Sequence, residues 1–283
     1  MRVSIIFLFF RLMLDVEARA ADPLLLSSQF GAIEQQIGGR LGVAALDTGN
    51  GRRMEYRAAE RFPICSTFKF LLAAAILEQG DRVPLDTRLS YGADDLLEWA
   101  PITKEHLSEG GMPVRDLCAA AIEHSDNTAA NLLLRALGGP SQLTAYLRTL
   151  GDPITRLDRT EPSLNSAVAG DPRDTTTPGA MVANLKLLLL GERLSKDSQD
   201  QLESWLAANT TGAKRIRAGL PPAWHTGDKT GTGENGAASD IAIVRPPGRA
   251  PILIAIYLVG SSSDADRLNG AIAKAASLIA QSL

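Results

Sequence analysis

The sequence predicts an α+β fold. An antiparallel sheet flanked by helices from both chain ends carries an inserted all-helical domain. Three observations point there. Strand patterns occur at both ends of the chain, and helical patterns fill its middle. The terminal strands follow one another through short turns, which join antiparallel neighbours, whereas a parallel crossover needs about a dozen residues or more. The chain has 283 residues, enough for two domains at roughly 150 residues each. The simplest architecture places residues 21–57 and 210–283 in one α/β domain and residues 58–209 in the helical one.

The elements follow in order. Residues 24–38 (LLLSSQFGAIEQQIG) space their apolar positions as a helix and stop at Gly38-Gly39. Arg40–Asp47 reads as a strand and Thr48-Gly49-Asn50-Gly51 as a hairpin turn. Arg52–Arg57 is the returning strand. From about 66 to 208 the pattern is helical and rich in Leu and Ala, with Gly/Pro breaks at 110–113, 138–140 and 151–153. Residues 156–178 lack periodicity and carry Pro162, Pro172 and Pro178. So long an irregular stretch in a compact domain usually has a function. Strands at 226–232, 239–245 and 252–259 and a helix over 264–282 close the chain.

Composition excludes several functions. The net charge of −3 lacks the basic footprint of a nucleic-acid binder. Two cysteines cannot build a disulfide-dense scaffold or a four-cysteine metal site. His106, His124 and His225 are far apart and form no zinc-binding spacing, so neither a metal nor another cofactor is expected. Arg2, the apolar run Val3–Phe10 and Ala18-Arg19-Ala20 read as a secretory signal cleaved after Ala20, implying a periplasmic or secreted protein. No segment supplies the roughly 20 consecutive apolar residues of a membrane anchor.

Four short motifs carry chemistry. Ser66-Thr67-Phe68-Lys69 opens a helical run at 66–79, with Ser66 and Lys69 on one helical face. Ser125-Asp126-Asn127 lies between the runs 114–124 and 128–137. Lys229-Thr230-Gly231, followed by Thr232-Gly233, lies in a strand, and Glu161-Pro162-Ser163-Leu164-Asn165 lies in the irregular loop. Alone, each has a bland explanation: a serine helix cap, a solvated lysine, a surface turn. As an ordered set, they do not. S-x-x-K, S-D-N and K-T-G together form the signature shared by class A β-lactamases and penicillin-binding proteins.

The sequence therefore resembles a class A serine β-lactamase over essentially its whole mature length. The steps of 59, 36 and 68 residues from Ser66 to Ser125, Glu161 and Lys229 agree with that family. The E-x-x-L-N element separates it from the penicillin-binding proteins. The resemblance implies a β-lactamase/transpeptidase-like fold, and a monomer that hydrolyses the amide bond of penicillins and cephalosporins and so confers antibiotic resistance. It makes Ser66 the nucleophile, with Lys69 and Glu161 the alternative acylation bases. Glu161 and Asn165 would hold the deacylating water. Ser125, assisted by Lys229, would pass a proton to the leaving nitrogen, and Asn127 would bind the substrate's amide side chain. The backbone N–H groups of Ser66 and Thr232 would form the oxyanion hole, in which one donor is worth roughly 3–4 kcal/mol. Thr230 and Gly231 complete the substrate-facing strand. Arg159 and Asp174 stand where an ion pair closes the family's Ω loop (156–174 here), and Glu161-Pro162 where it has a cis peptide.

The same resemblance addresses specificity. Many relatives place an Arg where this chain has Ala238. Arg215 matches the alternative, reaching the substrate carboxylate from the side. Thr232 matches relatives with broadened cephalosporin activity. Trp99 either lines the entrance to the site or packs in the core. Cys65 and Cys118 each match one half of a family disulfide, but the partner positions hold Gly233 and Ala73. Two free, buried thiols are therefore expected, with direct pairing as the alternative. This favours an extended-spectrum enzyme over a carbapenem hydrolase. The competing functions are a D,D-peptidase that deacylates slowly and a sensor that stays acylated. Glu161 and Asn165 argue against both.

Overall fold

The computed structural model describes residues 23–80 and 82–283; the expected signal at 1–20 lies outside them. Helix α1 (Pro23–Ile37) leads into β1 (Arg40–Asp47) and β2 (Arg53–Tyr56). The middle holds β3 (Phe62–Pro63), α2 (Phe68–Glu78), β4 (Arg88–Ser90), α3 (Pro101–Glu105), β5 (Gly111–Pro113), α4 (Val114–Glu123), α5 (Asn127–Leu137) and α6 (Pro140–Thr149). After the irregular loop come β6 (Thr175–Thr176), α7 (Pro178–Leu190) and α8 (Lys196–Ala207). The chain closes with β7 (His225–Thr232), β8 (Ala238–Arg245), β9 (Ile252–Val259) and α9 (Ala265–Ser282).

The main sheet is antiparallel, in the order β2-β1-β9-β8-β7. The two ends of the chain meet along β1 and β9, paired from Arg40↔Val259 to Asp47↔Ile252. Every residue of β9 is buried, because both faces of the sheet are covered. Leu41, Val43, Ile254 and Ile256 pack with Phe30 of α1 and Ile272 of α9. On the other face Leu253, Ala255 and Tyr257 join the larger core built around α2, α4, α5 and α7. Helix α2 is buried from Phe68 to Ile76, with Lys69 the one charged residue in that stretch, as expected of a helix apolar on nearly every side.

The helical expectation for residues 58–209 needs one correction. Two short strand pairs lie in this segment: β3 with β6, and β4 with β5. Strands of two or three residues are too short for alternation to appear in sequence. The first pair ties the segment before Ser66 to the end of the irregular loop. That loop includes a 3₁₀ turn at Ser163–Asn165 and stops at Thr177, whose side chain caps α7 by accepting from Ala180 N.

Candidate active site

The four motifs converge. Ser66 lies in the 3₁₀ turn Cys65–Thr67 that precedes α2, and its hydroxyl caps nothing. Instead Ser66 Oγ donates to Glu161 Oε1 at 3.3 Å. Lys69 Nζ lies 3.1 Å from the same carboxylate oxygen and donates to Asn127 Oδ1 (2.6 Å) and Ser125 O (2.8 Å). Ser125 Oγ takes Lys229 Nζ at 3.1 Å and lies 3.4 Å from Lys69 Nζ. Helical cap chemistry falls to Asp126, which accepts from Ala129 N, so the cap explanation for Ser125 fails along with that for Ser66.

Neither lysine is solvated; both are fully buried. Burial pushes Lys69 below its ordinary value, while Glu161 pulls it back up. Lys229 is driven well below its ordinary value by burial and then by the Lys69 charge, with Asp228 and Asp240 opposing. Two amines that yield protons easily beside two hydroxyls suit proton transfer.

Close approach is arranged by backbone conformation. Cys65 (φ +43°) and Ser125 (φ +57°) adopt left-handed conformations that non-glycine residues rarely take, and such strain concentrates at functional sites. Gly231 lets β7 pass against Ser66: a Cβ there would stand 3.2 Å from Ser66 N and 3.1 Å from Cys65 Cβ.

The loop that presents Glu161 is held by side chains. Arg159 Nε donates to Asp174 Oδ2 at 2.6 Å, as expected, and Asp174 Oδ1 also accepts from the backbone N–H groups of Asp158 and Arg159. Glu161-Pro162 is cis. Asn165 Nδ2 donates to Glu161 Oε2 at 2.5 Å, and Asn165 Oδ1 is a buried acceptor with no protein partner. Sequence reasoning missed Asn131. Its amide donates to Glu161 O and accepts from Glu161 N (2.9 and 3.0 Å), clamping that peptide from both sides. The available signal was its place one helical turn after Asn127.

Other residues sharpen the reading. Trp99 is 57% exposed and donates from its indole to His124 O, which removes the core alternative. Thr232 is exposed, whereas Thr230 puts its hydroxyl against Thr211. Arg215 is buried: it donates to Gly231 O and Ser239 O (both 2.7 Å), Asn269 Oδ1 and Thr232 Oγ1 (both 2.8 Å). Its contact with the rim of the site therefore runs through Thr232. Asn127 spends its Oδ1 on Lys69, leaving its amide nitrogen for other partners. Cys65 and Cys118 are free and buried, and burial raises the Cys65 thiol to about 12. A Cβ at Gly233 would stand 2.9 Å from Cys65 Sγ, so these two positions do face each other.

Comparison with known proteins completes the picture. The model of the β-lactamase enzyme family matches residues 25–283. The chain is 49% identical over 268 residues to β-lactamase AST-1 of Nocardia asteroides, covering 93% of this chain and 84% of that one. It is 48% identical over 262 residues to the carbapenem-hydrolyzing β-lactamase KPC of Klebsiella oxytoca, covering 92% and 89%. Among solved structures, the class A β-lactamase of the last common ancestor of Gram-negative bacteria superposes with a TM-score of 0.88 at 59% identity, covering 90% and 97%.

Proposed function

The chain belongs to the class A β-lactamases and hydrolyses the β-lactam amide bond through a serine acyl-enzyme, and on that premise we propose which residues do the work. Ser66 Oγ attacks the lactam carbonyl carbon, and its proton leaves through the Glu161–Lys69 pair. That proton passes from Lys69 to Ser125, which Lys229 holds, and on to the ring nitrogen as the amide bond breaks, so the pair regains its starting charge. Glu161 then takes a proton from a water held between it and Asn165 Oδ1, and the hydroxide cleaves the Ser66 ester. The proton returns to Ser66 Oγ. The backbone N–H groups of Ser66 and Thr232 receive the charge developing on the carbonyl oxygen. Lys229, Thr232 and, through it, Arg215 meet the substrate carboxylate; Thr230 and Gly231 line the strand, Asn127 takes the amide side chain, and Trp99 borders the entrance.

The observation that carries this reading is the single contact of 3.3 Å between Ser66 Oγ and Glu161 Oε1, with Lys69 and Asn165 on the same carboxylate. It brings nucleophile and base within hydrogen-bond reach. It also supports Glu161 as the acylation base, with the Lys69 amine 3.1 Å from the same oxygen. The mature protein should turn over a chromogenic cephalosporin. Ser66→Ala should abolish acylation, and Glu161→Ala should accumulate an acyl-enzyme visible by intact mass. Burst labelling of the wild type without turnover would point to the D,D-peptidase or the sensor.

We read residues 21–57 with 210–283 as one domain and 58–209 as the other, with the site between them. The missing partner for Cys65 at Gly233 and the hydroxyl of Thr232 support an extended-spectrum cephalosporin preference. The signal pattern at 1–20 supports export, after which the protein would begin at Ala21 and act as a monomer. Among the described residues no helix is long and apolar enough to cross a membrane.

A further inference from the structure

Behind β7 lies a pair of acids that the reaction does not use. Asp228 and Asp240 are both fully buried. Strand alternation puts Asp228, Thr230 and Asp240 on the face opposite Lys229 and Gly231. Asp240 pairs directly with Thr230 and so stands diagonal to Asp228. The two acids have unequal partners. Asp228 accepts from Arg217 Nε on one oxygen and from Asn209 Nδ2 (2.7 Å) on the other. Asp240 Oδ2 accepts from Ile216 N at 3.0 Å, but Oδ1 has no hydrogen-bond partner. Arg215 directs its donors elsewhere, to Gly231, Ser239, Thr232 and Asn269. An ionised carboxylate with a bare oxygen in a dry interior is costly, whereas an acid that keeps its proton beside a second carboxylate is not.

We propose that Asp240 is a positioning residue that works as a neutral acid. Its protonated Oδ1 faces Asp228, and its Oδ2 pins the Ile216 amide, fixing the segment that carries Arg215. Through Arg215 it sets the Gly231–Thr232 rim where the substrate carboxylate is received. This role rests on the β-lactam reading of the site. The charges acting on Asp240 are Asp228 on its own face of the sheet, Arg215 from the segment between α8 and β7, and Lys229 from the other face of β7; Arg217 from the same segment pairs with Asp228. Burial and then Asp228 push its carboxyl well above the usual range, while Arg215 and Lys229 oppose.

The sign of the pH effect follows. A carboxyl raised in the folded state binds a proton that the unfolded chain releases, so it removes stability as pH rises above the ordinary carboxyl range. Asp240→Asn keeps the acceptor for Ile216 N and cannot ionise. Its Tm advantage over the wild type should widen from about pH 5 to about pH 9. An advantage that is flat or shrinks over that range overturns the neutral acid. So does the absence, at neutral pH, of a protonated-carboxyl C=O band in the wild type minus Asp240→Asn infrared difference spectrum. Asp240→Ala should raise KM for a cephalosporin about tenfold with less change in kcat, and Asp240→Asn should restore KM. A wild-type KM in Asp240→Ala overturns the positioning role. A KM in Asp240→Asn as high as in Asp240→Ala overturns the neutral form. If Asp240→Ala does not fold, the Asp240→Asn measurements still decide. Wild-type turnover of the cephalosporin is measured alongside. Its absence would overturn the hydrolase reading and leave the infrared band untouched.

Discussion

Ser66 and Glu161 are held in place by opposite means. Ser66 and Lys69 ride on a segment sunk in the apolar core, where Phe68 to Ile76 are all buried. Glu161 sits on a loop with little regular structure, fixed by Arg159–Asp174, by the two Asn131 bonds and by Thr144, which bonds both N and O of Leu157. Packing is distributed over many weak contacts, so the platform resists any one substitution in its geometry. Polar fixation is concentrated in a few groups, so the loop can be broken one bond at a time. The placement of Ser66 and Lys69 should therefore be robust, and that of Glu161, on which the proposed deacylation depends most, fragile.

The sharpest way to break that contrast is Asp174→Ala. It strands Arg159 and two backbone N–H groups around a buried position. Removing one partner of such a pair costs about 3–5 kcal/mol. Deacylation should fall far more than acylation, so that stopped-flow traces show a burst followed by a slow steady state. Equal losses in both steps would remove the distinction. Next comes Leu71→Ala in the platform, which should cost about 2–5 kcal/mol of stability by denaturant unfolding. In the fraction still folded, the ratio of acylation to deacylation should stay at the wild-type value. Asn131→Ala should cost about 1–3 kcal/mol. It should slow deacylation more than acylation, seen as a longer-lived acyl-enzyme by time-resolved mass spectrometry. The smallest effect is expected for Arg156→Ala. Its partner is the nearby Asp158, and the Arg156 side chain is 39% exposed. A surface pair is worth about 0–1 kcal/mol, so kinetics and Tm should barely move. A large deacylation defect there would mean that the loop is held by its surface charges as well.

Particular residues mark what could be read in advance. The strand Ile252–Val259 and the helix at the C-terminus were legible because long elements repeat their hydrophobic period several times. The pair β3–β6 was not, since two residues have no period. Ser66, Lys69, Ser125, Glu161 and Lys229 were legible because they stand in motifs with fixed spacing. Asn131 and Asp240 were not: their surroundings come from residues distant in sequence, and no local pattern announces them. Arg215 was legible as a residue but not in its manner of acting, since burial turns its donors onto the backbone of β7 and β8.

By itself the sequence determined the family and the order of the long strands and helices and singled out the candidate reactive groups, because motif spacing and periodicity are local properties of the chain. Tertiary structure alone decided that Trp99 stands in solvent and that both lysines are dry. It also decided that Asp240 lies beside Asp228. Burial and electrostatic environment depend on what folds over a residue, and the covering elements come from segments far away along the chain.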